Sequence, residues 1–143
     1  MKKKRALLLF GSLGVLSLGY IAWCGRSLYL PVPLPDLSEI PEGYRPAAYA
    51  LLEQRGFTRR ESFSWDLLRR LTADPYGRNH AKITTHWDST MGQYLVHRTS
   101  IASGYSSVSA CFPIRTSGIT ATIMYMDSSG IRYEDVHVTR SPQ

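Results

Sequence analysis

The chain has 143 residues, 43% of them hydrophobic, and a formal net charge of +6. That length holds one domain of ordinary small size, and two cysteines, Cys24 and Cys111, exclude a disulfide framework. Most of the charge lies at the start, in Lys2-Lys3-Lys4-Arg5 and Arg26, so the rest is nearly neutral and nucleic-acid binding is not implied.

Residues 6–23 carry no charged side chain over 18 positions. At about 1.5 Å per residue a helix of that length just reaches across a hydrocarbon core. The basic run stands in front of it and only Arg26 behind, which keeps the N-terminus in the cytoplasm and sends the C-terminal part across. Tyr20 and Trp23 fall where the far interface is expected. A cleaved secretory signal shares the basic start. A lipoprotein signal is the other alternative: Ile21-Ala22-Trp23-Cys24-Gly25 resembles the bacterial lipobox at Ile21, Ala22 and Cys24, and departs from it at Trp23. All three readings put the rest of the chain outside the cytoplasm, as the domain of a single-pass inner-membrane protein, secreted, or lipid-anchored at Cys24. Gly11, Gly14 and Ser17 recur every third residue, without the four-residue spacing of the GxxxG dimer motif.

The chain divides into a cytoplasmic start (1–5), an anchor (6–23), a Pro-rich linker (24–45) and an extracytoplasmic domain (46–143). Pro31, Pro33 and Pro35 fix φ at alternate positions and favour an extended rod, a spacer off the membrane.

Pro46 opens a short helix that Gly56 closes. Thr58 and Glu61 have capping-box spacing for a second helix. Phe63, Leu67 and Leu71 then fall four apart, with Leu68 beside them, as one apolar face before Asp74-Pro75. Arg59, Arg60, Arg69 and Arg70 are placed mainly off that face. The pair joined by Gly56-Phe57 resembles a helix-turn-helix over some twenty residues; a solvated basic face explains the arginines, and a domain outside the cytoplasm meets no DNA.

From Asn79 the hydrophobic period changes to two, and five strands fit: about 79–87, 92–99, 106–112, 118–126 and 131–139. Asp88-Ser-Thr-Met91 and Asp127-Ser-Ser-Gly130 are the clearest hairpin turns. Helices first and strands after predict an α+β domain, two short helices packed on a five-stranded antiparallel meander. If Trp87 pairs with Gly92, Ile83 meets Val96 and Lys82 lies across from His97, which argues against a metal ligand there. In the last hairpin Met126 pairs with Ile131 and Met124 with Tyr133, while nearer the base the apolar set moves to Ile119, Ala121, Val136 and Val138. A bulge near Glu134-Asp135 restores one face; otherwise the tip presents an apolar patch that marks a contact surface. Cys111, between Ala110 and Phe112, is expected to be a small buried hydrophobe.

Chemistry is sparse. Asp135 and His137, two apart on a strand, share a face as a carboxylate orienting an imidazole requires, and residues 103–107 offer serines without the G-x-S-x-G elbow. His80, His86, His97 and His137 are scattered, and no metal, cofactor or phosphate-loop spacing gathers them. The sequence therefore predicts a membrane-anchored domain that binds a protein or envelope component, with Arg59, Arg60, Arg69, Arg70, Met124 and Met126 as the candidate contact surface. The alternative is an envelope hydrolase using Asp135, His137 and a loop serine.

Overall fold

The computed structural model describes residues 2–74, 82–100, 106–115 and 118–141, with side chains described from Phe10 onward. Its C-terminal half is a five-stranded antiparallel sheet whose spatial order follows the sequence. The strands are β1 (Lys82–Asp88), β2 (Gln93–Ser100), β3 (Ser106–Arg115), β4 (Gly118–Asp127) and β5 (Gly130–Val138). Before them come α1 (Lys2–Cys24), α2 (Arg26–Tyr29), a 3-10 turn at Glu42–Tyr44, α3 (Arg45–Gln54) and α4 (Trp65–Ala73). This is the α+β, antiparallel-meander class that the change of period predicts; residues 79–81 of the first expected strand lie outside the described residues.

Alternation sorts the sheet into two faces. Tyr94 and Val96 of β2, Ala110 and Phe112 of β3, and Ile119, Ala121 and Ile123 of β4 are buried on the inner face. Helix α3 covers them with Ala48, Leu51 and Leu52. Its C-terminal end is locked by a Schellman motif: Phe57 N–H bonds the Leu52 carbonyl at 2.9 Å, Gly56 N–H bonds the Glu53 carbonyl at 3.0 Å, and Gly56 has φ +81°. The same turn delivers the fully buried Phe57 onto Leu52 in the core.

The first hairpin is slipped by two residues from the expected register. Trp87 pairs with Tyr94, Thr85 with Val96 and Ile83 with Arg98, so Lys82 faces Thr99 and His97 faces Thr84. A two-residue slip keeps every side chain on its face, which is why hydrophobic pattern alone did not distinguish the two. Asp88 Oδ1 sets the turn by accepting from the Thr90 and Met91 amides at 3.0 and 3.1 Å.

In the last hairpin the expected pairs Met126 with Ile131 and Met124 with Tyr133 are present, and the register runs unbroken from Asp127–Gly130 to Ile119–Val138. No bulge restores one face. The inner face near the tip is instead polar: Tyr125 pairs with Arg132 there, and Glu134 takes an ion pair from Arg55 of α3 at 2.6 Å.

Three expectations in the N-terminal half are corrected. The second helix starts at Trp65 behind an Ser64 N-cap, whose Oγ accepts from the Leu67 amide at 3.0 Å, not behind Thr58; Phe63 precedes the helix and is exposed. Nor does α4 pack on the sheet. Leu67 and Leu71 bury against Cys24 and Leu28, and Tyr20 Oη donates to the Thr72 carbonyl at 2.8 Å, so α4 leans on the end of α1. That placement also dissolves the helix-turn-helix likeness. The third concerns the linker: Leu37 and Ile40 are buried in the main core, and Tyr49 and Tyr94 donate to the Pro35 and Asp36 carbonyls. The segment after Pro33 is therefore part of the packed domain, whose core begins before residue 46, and it is no free rod.

Among the described residues no helix is long and apolar enough to cross a membrane.

Candidate functional site

No helix packs on the outer face of the sheet among the described residues, and its composition changes across the strands. By register one row runs Tyr133, Met124, Ser109, His97, Thr84, and the next runs Ile131, Met126, Ser107, Thr99, Lys82. The β4–β5 end is thus apolar and the β1 end polar. Tyr133 and Ile131 are 68% and 55% exposed, with Met124 and Met126 half-buried between them and the serines. His97 Nδ1 lies 2.6 Å from Ser109 Oγ, fixing the ring against the middle of the sheet. On the row toward the other end Cys111 is half-buried, not wholly buried, and donates to Gln93 Oε1 at 3.2 Å. Burial pushes its thiol pKa up, which makes it a poor nucleophile.

The expected contact residues therefore fall in three places. Met124 and Met126 stand on this outer face. Arg69 and Arg70 are on α4, where both guanidinium groups reach Asp66, at 3.0 and 2.6 Å. One carboxylate between two arginines leaves that helix face less basic than its sequence suggests. Arg59 and Arg60 belong to no helix. Both are exposed, and Arg59 lines a cavity of about 220 Å³ with Arg55, Arg98, Arg132 and Asp127.

Asp135 and His137 do share a face, and with Thr120, Thr122, Tyr44 and Arg140 they line a cavity of about 610 Å³. Each is engaged by the threonine on β4. Thr122 Oγ1 donates to Asp135 Oδ1 at 2.7 Å, and Thr120 Oγ1 lies 3.3 Å from His137 Nδ1. Ser107 is two strands and four residues away from Asp135, about 16 Å on strand spacings. Residues 103–105 of the serine-rich loop lie outside the described residues.

No known protein family, characterised protein or solved structure matches the chain. The assignment of a working surface rests on the chemistry of its faces.

Sequence reasoning missed Arg98. It is 6% exposed on the inner face, where Nη1 donates to the Gly56 carbonyl at 2.6 Å and Nη2 to the Arg59 carbonyl. Burial lowers its pKa, partly countered by Glu61. The signal was available, since Tyr94, Val96 and Arg98 are spaced by two and a charge at the third inward position has to find partners.

Proposed function

We propose that the protein is a single-pass inner-membrane protein, N-terminus in the cytoplasm, whose extracytoplasmic α+β domain binds an apolar surface of a protein partner through the outer face of its sheet. The bare β4–β5 end of that face carries the reading: Met124 beside Tyr133 and Met126 beside Ile131 form an exposed apolar patch, and such patches on small domains mark contact surfaces. Methionine suits the role because its flexible, polarizable side chain adapts to the facing surface.

The anchor draws on the uncharged residues 6–23 behind four basic ones, and on a helix α1 whose 23 residues extend about 34 Å. Cys24 supports retention of the segment. It is fully buried against Leu67 and Leu71, so cleavage before it, by a signal or lipoprotein peptidase, would strip α4 of the helix it leans on. The test is twofold. Carbonate extraction should leave the chain in the membrane pellet. A photoreactive amino acid at position 133 should crosslink one discrete species in native membranes, lost in a Met124→Gln, Met126→Gln variant, whereas the same probe on the covered side of the domain should not.

A second reading, an envelope hydrolase, draws on the cavity at Asp135 and His137. The hydroxyls beside that pair belong to Thr120 and Thr122. Ester turnover abolished by His137→Ala with folding intact would support it, and absence of turnover in the parent protein sinks it.

A further inference from the structure

By register Arg98 of β2, Val108 of β3, Tyr125 of β4 and Arg132 of β5 form one cross-strand row, and Ser100 and Ser106 pair in the next. The turn that follows α3 is held over the Arg98 end of this row, because Arg98 donates to the Gly56 and Arg59 carbonyls. There lies the cavity of about 220 Å³, lined by Arg55, Arg59, Arg98 and Arg132 with Asp127 as the one carboxylate among the described residues. The carboxylates in and around it are already engaged. Asp127 accepts from Ser129 and Arg132, Glu134 accepts from Arg55 and Tyr125, and Glu61, beside Arg98, accepts from Ser100. Four guanidinium groups against those three carboxylates leave one positive charge in excess. The accessible one is Arg59, which is exposed and makes no ion pair among the described residues. Arg98 adds a cation that burial has taken from water and that an anion nearby would stabilise.

The lining selects the sign of a ligand and then its shape. A cation meets four guanidinium groups and finds each carboxylate occupied, so the cavity favours an anion. Arg98 and Arg132 stand three strands apart, about 14 Å on strand spacings. Arg59 is tied to the Arg98 end, so donors reach the space from two sides. Arg132 is exposed and spends one guanidinium nitrogen on Asp127 at 3.1 Å, which leaves N–H donors over. A planar carboxylate fills one guanidinium fork, whereas phosphate turns oxygens in several directions and carries a larger charge. An adjoining groove of about 440 Å³ shares Arg55, Gly56, Arg59 and Tyr125 with the cavity and adds Glu53, Gln54 and Thr58. Glu53 opposes a run of phosphates there, while the amide and hydroxyl suit a polar remainder without charge. We propose that this cavity binds a phosphate monoester, its phosphate between Arg59 and Arg132 with the Ser106 hydroxyl beside it, and its polar remainder along Gln54 and Thr58. The ester is either free or the head of a lipid. This goes beyond the outer-face reading and does not rest on it.

The test uses the full chain in detergent micelles, titrated by calorimetry with glycerol 3-phosphate and, separately, with glycerate, which carries a carboxylate in place of the phosphate. Glycerol 3-phosphate should bind saturably and glycerate about tenfold more weakly, the effect of losing one charge-assisted hydrogen bond. Arg59→Gln should weaken glycerol 3-phosphate binding about tenfold at an unchanged thermal midpoint, since the side chain is exposed and the carbonyl that Arg98 uses remains. Arg60→Gln, at the next exposed arginine outside the cavity, should bind like the parent. Arg132→Gln, at the far end of the row, should weaken binding by a similar factor and serves if Arg59→Gln fails to fold. No saturable binding, equal binding of the two probes, equal losses from Arg59→Gln and Arg60→Gln, or an Arg132→Gln protein that binds like the parent would overturn the proposal. Nanodiscs containing phosphatidic acid, compared with phosphatidylcholine alone, then identify the source: competition with glycerol 3-phosphate assigns the lipid, and lack of competition assigns the free ester.

Discussion

The two faces of the sheet are built from the same five strands and do different work. On the inner face, alternate residues of β2, β3 and β4 meet α3 and the segment from Leu37 to Ile40 in one core. On the outer face no helix packs among the described residues, and the large apolar side chains left exposed there, Ile131 and Tyr133, lie on β5 beside Met126 and Met124 of β4. Stability therefore comes from one side of each strand, and the other side is free to be chosen for what it touches. Strand β4 shows the division residue by residue: Ile119, Ala121 and Ile123 are buried, whereas Met124 and Met126, on the opposite parity, remain partly open.

Substitutions sharpen that contrast. Phe112→Ala, at a fully buried inner position, should cost about 3–5 kcal/mol in chemical denaturation, a large share of a small domain's ~5–15 kcal/mol. Next in size is Gly56→Ala. Its φ of +81° lies where a side chain is disfavoured, so about 1–2 kcal/mol should be lost and the α3 end should loosen over the core. Ser64→Ala removes the α4 cap and should cost about 1 kcal/mol. Because α4 leans on α1 and not on the sheet, hydrogen exchange should rise in residues 65–73 while the β-strand amides stay protected; a uniform rise would break the comparison. Ile131→Thr and Tyr133→Thr on the outer face should each change stability by no more than about 0.5 kcal/mol.

Acid sharpens it in a different way. Asp127 has its pKa lowered chiefly by the Ser129 hydroxyl and amide, which favour the charged carboxylate in the folded hairpin. A lowered folded pKa means that the turn's stabilisation is present above the unfolded carboxylate range and is lost as pH falls through the folded value. The Ser129 amide should therefore lose exchange protection in acid before the inner-face amides do. Simultaneous loss would mean that the tip and the core are one cooperative unit.

The class of the fold was legible because period and turn chemistry are local. Gly56, the two Asp-led hairpin turns and the Met–Ile and Met–Tyr pairs of the last hairpin all follow from residues within a few positions of one another. What sequence reasoning missed depends on contacts between distant residues. Leu67 and Leu71 announce an apolar stripe, but nothing in their spacing says that it faces Cys24 and Leu28 instead of the sheet. Glu61 has the spacing of a capping box and yet is drawn away to Ser100, thirty-nine residues on. The apparent switch of buried face in β5 is resolved by Arg55, which reaches from α3 to hold Glu134 on the inner face and leaves Ile131 and Tyr133 outside. The candidate surface was half legible on the same grounds: Met124 and Met126 follow from register, whereas Arg69 and Arg70 are tied to Asp66 within their own helix and Arg59 and Arg60, both exposed, lie outside any helix.

The most direct test of the outer face as the working surface is the crosslinking of a photoreactive residue at position 133 in native membranes, set against the same residue at Glu53 of α3, exposed on the covered side of the domain. The reading predicts one discrete adduct from position 133, none from position 53, and loss of the adduct in the Met124→Gln, Met126→Gln protein at unchanged stability. Equal adducts from both positions, or an adduct from position 133 that survives those substitutions, would contradict it.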